Sequence, residues 1–96
     1  MSPKNKKKLN RLRKKLDKLD NKLLGVIKTR TEIIKKVISL KINKREIVDK
    51  KRIAFILGKI RKASIKKKID PVITNKIWKN MIWSYIDFER KNFKKK

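Results

Sequence analysis

The chain has 96 residues and a formal net charge of +25, with 33 lysines and arginines against 8 acids. A chain of that length forms one domain and buries only about 60–70% of its unfolded surface, so a second copy is expected to complete a thin core. Cysteine and histidine are both absent, which excludes disulfides, thiol nucleophiles, zinc sites and imidazole acid–base catalysis, and no metal or cofactor is expected.

Glycine occurs only at Gly25 and Gly58 and proline only at Pro3 and Pro71. Turn chemistry that sparse argues for a few long helices rather than a sheet. The whole chain, 1–96, reads as a single helical domain, with residues 1–8 and 94–96 as frayed basic tails. A first helix is predicted from about Asn5 to Lys41. Leu9, Leu16, Leu23 and Val37 fall at one heptad position and Leu12, Leu19, Val26, Ile33 and Leu40 at another, a seam suited to packing against another helix. Such a helix is longer than a small monomer can bury, and it points to a partner chain. Ile42–Val48 loses the pattern and reads as a loop. Asp49 marks the start of a second helix running to about Lys67, with Ile53, Ile56, Leu57, Ile60 and Ala63 on one face. Asp70-Pro71 restarts the chain as an N-cap acid with proline at the first helical position. The third helix should run to about Phe93 with a stripe of Ile73, Ile77, Met81 and Tyr85, and Trp78 and Ile82 beside it. The expected fold is all-α, with three helices, the first of them long.

Lysine supplies most of the charge and isoleucine most of the aliphatic content, the pairing that codon bias in an AT-rich genome produces on a tolerant surface. Against that background the retained arginines are informative, because their planar fork is not replaceable by lysine. Arg30 occupies a seam position that calls for an apolar side chain. Either it sets register or reaches the surface, or it points into a polar pocket, where a guanidinium needs an anion. Lys41 returns to nearly the same face roughly three turns later. Arg13 lies about 25 Å back along the helix on another face, so it can reach such a pocket only in a partner chain. Arg52 is a third candidate pocket cation, and Asp49 is at least a helix cap. Glu89 extends the third-helix stripe by a further step of four. It either lies at an exposed helix end, paired with one of many lysines, or brings a carboxyl into the pocket.

The run LNRLRKKLDKLDNKLLGVIKTR, followed by Lys41, VDKKR and a last helix ending IWSYIDFE, resembles the all-helical class of chorismate mutases over roughly Leu9 to Phe93. It is also similar to the isochorismate-pyruvate lyases, which share the fold and most of the pocket. The resemblance implies an intertwined homodimer in which Arg30 and the partner's Arg13 clamp the two carboxylates of the substrate. It implies that Lys41 reaches one carboxylate and the ether oxygen, that Arg52 helps position these groups, and that Asp49 lies near the ring hydroxyl through its backbone. Glu89 falls where the family places a Gln or Glu on the ether oxygen, and Glu89 must carry a proton to donate there. Two positions depart from the pattern. Ile53 replaces the acid that in many mutases binds the ring hydroxyl, as in the lyase group, and Tyr85 replaces a small polar residue.

The implied chemistry suits the composition. The rearrangement of chorismate to prephenate, a step toward phenylalanine and tyrosine, requires no nucleophile, metal or proton shuttle. It requires a compactly held substrate and donors aimed at the ether oxygen as its C–O bond breaks. The alternatives are the lyase reaction on isochorismate, giving salicylate and pyruvate, and a basic helical nucleic-acid-binding protein. The latter needs a clustered basic face with stacking aromatics. Here lysines are spread over the exposed positions, and Trp78, Trp83, Tyr85 and Phe88 lie on or beside the apolar stripe, so no specific nucleic-acid partner is expected. No apolar run approaches the roughly 20 residues of a membrane span, and the basic N-terminus leads into heptads rather than a signal-peptide core. The expected location is the cytoplasm.

Overall fold

The computed structural model describes residues 1–93, so the tail expected at 94–96 lies outside the described residues. Within them the chain is all-α, as predicted: α1 Pro3–Leu40, a 3-10 turn Lys44–Glu46, α2 Lys50–Lys66 and α3 Pro71–Asn92. The basic segment Lys4–Lys8, expected to fray, belongs to α1. Ser2 caps the helix, its hydroxyl accepting from the Asn5 N–H at 3.2 Å, and Pro3 stands at the first helical position, where its fixed φ costs nothing.

Residues 1–34 form one compact unit and the chain from Lys35 onward another. In the first, α1 carries its predicted seam on the outside: Leu12, Leu16 and Leu23 are each 57% exposed, Leu19 55% and Val26 64%.

In the second unit α2 and α3 pack against each other. Ile47, Ile82 and Ile86 form the buried centre, with Val48, Ile53, Ile56, Leu57 and Phe93 packed around them. The face predicted for α2 is the one that turns inward: Ile53, Ile56, Leu57, Ile60 and Ala63 are all half-buried. On α3 the buried line is displaced from the predicted stripe. Ile73 and Ile77 stay 54% and 53% exposed, whereas Thr74, Ile82, Ile86 and Glu89 are buried. The displacement has a polar cause. The Thr74 and Ser64 hydroxyls meet at 2.7 Å and Ser64 donates to the Ile60 carbonyl at 2.6 Å, so this threonine can face inward with its hydrogen bond made.

Both predicted caps form. Asp49 accepts from the Arg52 N–H at 3.0 Å and Asp70 from the Val72 N–H at 2.9 Å, ahead of Pro71. The α2–α3 turn closes with the Ile69 N–H on the Ser64 carbonyl at 2.9 Å and the Lys68 N–H on the Ile65 carbonyl at 3.1 Å. That is a Schellman closure, and Lys68 occupies its left-handed position at φ 58°, where glycine is the usual residue.

Candidate active site

The segment between α1 and α2, expected to be a loop over Ile42–Val48, is ordered by its own side chains. Asn43 is extended and caps the 3-10 turn, accepting from the Arg45 N–H at 3.1 Å. Three residues on, the Glu46 carboxylate reaches back and accepts from the Ile42 N–H at 3.2 Å. This is close to a capping box, in which an N-cap and the third residue after it satisfy each other's end of the turn. Ile47 then drops into the core at 4% exposure, which anchors the loop to α3.

Lys41 leaves the last turn of α1 with its N–H on the Ile38 carbonyl at 3.1 Å. Its ammonium donates to Glu89 Oε1 at 3.2 Å, and the two side chains are 17% and 6% exposed. Glu89 lies on the face of α3 that also buries Ile82 and Ile86. Beside Lys41, an open cleft of about 630 Å³ runs along the 3-10 turn and the start of α2. Lys41, Arg45, Lys50 and Lys51 bring cations to its wall, and Glu46 and Asp49 bring acids. With Lys41 paired to Glu89, three further cations stand against two acids on the wall, a small positive excess that favours an anionic small molecule.

The structure thus brings together three of the predicted residues: Lys41 with Glu89, and Lys41 with Asp49. Arg52 follows Asp49 but is exposed and lays its guanidinium over the Phe55 ring, 5.3 Å from the centroid. Tyr85 is half-buried on α3. Arg13, which is exposed, and Arg30, which is half-buried, belong to the unit of residues 1–34. Arg45, Glu46, Lys50 and Lys51 were not predicted. The Asn43–Glu46 spacing carried a signal for Glu46, whereas the two lysines were hidden among many. Ile53, which stands where many mutases have an acid, packs against the core. Among the described residues no three His, Cys, Asp or Glu side chains gather as a metal site would require, and no helix is long and apolar enough to cross a membrane.

Fold and site define an all-helical protein with a cationic cleft sized for a small anion. The chain matches the chorismate mutase type II family over residues 12–90 and belongs to it. It is therefore an isomerase of the chorismate mutase kind, and the match gives the lyase and nucleic-acid alternatives no specific support. No curated protein and no solved structure matches the chain.

Proposed function

We propose that the chain, as one catalytic domain, converts chorismate to prephenate in aromatic amino acid biosynthesis, working in the cytoplasm as an intertwined homodimer. Arg30 and Arg13 of the partner subunit hold the two carboxylates, Arg52 helps to position these groups, Asp49 lies near the ring hydroxyl through its backbone, and Tyr85 contacts the substrate. Lys41 and Glu89 stand at the ether oxygen. As the ether C–O bond breaks and the new C–C bond forms, electrons move around one closed ring of atoms and no proton leaves the substrate. Negative charge builds on the ether oxygen in between, and fixed donors there lower the barrier. The observation that carries this reading is the Lys41–Glu89 pair at 3.2 Å, largely withdrawn from water beside the cationic cleft.

Glu89 donates to the ether oxygen only when it carries a proton. Glu89→Gln, whose amide always has an N–H to give, should therefore keep its turnover, whereas Glu89→Ala should lose about 10²–10³-fold. Near-normal turnover in Glu89→Ala removes Glu89 from that role. Supplying chorismate and isochorismate separately and identifying the products tests the reaction itself: prephenate from chorismate supports the proposal, and salicylate with pyruvate from isochorismate alone overturns it.

A further inference from the structure

We propose that one flank of α1 is a docking surface for the phosphate backbone of duplex nucleic acid, bound without regard to sequence. Lys4, Lys8, Arg11, Lys15, Lys18 and Lys22 recur along α1 at steps of three and four. At 3.6 residues per turn they fall within about 40° of one line, a stripe about 27 Å long with a cation in every turn. All six are exposed, and among the described residues none of them enters an ion pair within the chain. The stripe exists because residues 4–8 are helical. Ser2 and Pro3 start α1 early enough to bring Lys4 and Lys8 into line with Arg11 and Lys15.

Net charge alone does not build such a line. The first sixteen residues hold eight lysines and arginines and no acid. The next acids, Asp17 and Asp20, lie on the far side of the helix from the stripe, and the leucine seam lies roughly 100° round from it. The outward face of α2 is basic as well, but Phe55 and Gly58 interrupt it. Cations in the first turns of a helix also oppose its dipole, and α1 has no acid in its first turn to balance them. An anionic partner along the stripe removes that conflict. The kind of partner follows from the rest of α1. The helix has no aromatic side chain to stack on bases, and lysine meets phosphate as a point charge. A helix lying on a membrane buries its apolar face in lipid, whereas the apolar face of α1 is the seam that the proposed dimer occupies. A duplex carries one negative charge per about 1.7 Å of its axis, so a straight stripe meets phosphates along its whole length.

The test uses the full chain and the fluorescence anisotropy of a labelled duplex of about 24 base pairs, titrated over a range of salt. In one variant the six stripe cations are all changed to glutamine, which propagates a helix about as well as lysine. In a second variant of equal charge, Lys59, Lys62, Lys66, Lys68, Lys76 and Lys79 are changed instead. For the wild type, log affinity against log salt should fall with a slope of roughly −5, as about six phosphate contacts imply, and duplexes of unrelated sequence should bind alike. The stripe variant should bind at least about a hundredfold more weakly at physiological salt, with a slope of about −2 or shallower, while the second variant stays within about fivefold of the wild type. The helical circular dichroism of both variants should match the wild type. Equal losses in the two variants overturn the proposal, because net charge alone would then explain the binding. So does release of the duplex from the wild type by polyglutamate or by phosphatidylserine vesicles at matched charge, which assigns the stripe to an acidic protein or a membrane.

Discussion

Lys41 and Glu89 come from opposite ends of the compact unit and meet where each is largely out of water, at 17% and 6% exposure. A buried pair of this kind adds little net stability compared with apolar packing, but breaking it from one side leaves a charge without a partner. Lys41→Met should therefore cost about 3 kcal/mol of unfolding free energy, because the Glu89 carboxylate stays behind against Ile82 and Ile86. Adding Glu89→Leu should restore most of that loss without restoring turnover. Urea unfolding of the two variants checks the pair. A single variant as stable as the wild type would mean that Glu89 finds another partner or water. The divergence between stability and turnover in the double variant is the point of interest: packing can replace the pair in the fold, but an apolar side chain offers no donor to an ether oxygen.

At the scale of elements, the α2–α3 turn holds a non-glycine residue in the left-handed region at Lys68. There the side-chain Cβ crowds the backbone at a cost of about 1–2 kcal/mol. Lys68→Gly should stabilise the chain by about 1 kcal/mol and raise the melting temperature by roughly 4–8 °C, with the two Schellman bonds preserved; an unchanged or lower melting temperature would show that the strain is relieved elsewhere. The turn itself was legible in the amino-acid pattern, because Asp70-Pro71 is a local signal, and so was the cap at Asp49. The helices followed from periodicity. What periodicity did not resolve was which side of α3 faces inward. That helix is apolar over a wide arc, and Ile73 and Ile77 belong to the arc without being buried. The choice is made by the Ser64–Thr74 hydroxyl pair, a contact between helices that no hydrophobic count registers. Glu89 was reached all the same, since a step of four from Tyr85 ends on it. The loop was the least legible part, because its order rests on two side-chain caps and the single buried Ile47.

In the molecule as a whole, α1 leaves its apolar seam in water. Leu12, Leu16, Leu19, Leu23 and Val26 leave more than half of each residue in water in the single chain, and an apolar seam of that length is the surface a partner helix covers. Two copies with a charge of +25 each repel, so pairing through this seam should tighten as salt screens the lysines. The proposed dimer makes a sharper prediction through its arginines. Each site takes Arg30 from one chain and Arg13 from the partner subunit, so Arg30→Ala and Arg13→Ala should each lower turnover by about 10²–10³-fold when assayed alone. In a mixed dimer the two defects fall in the same site. The Arg13→Ala chain still provides Arg30, the Arg30→Ala chain still provides Arg13, and one intact site is rebuilt while the other carries both losses. Unfolding the two variants together in equal amounts and refolding them should yield about half mixed dimers and so recover about a quarter of wild-type activity. If mixed dimers form, as mass-tagged chains would reveal, and activity stays at the level of the separate variants, the two arginines do not share a site across the interface.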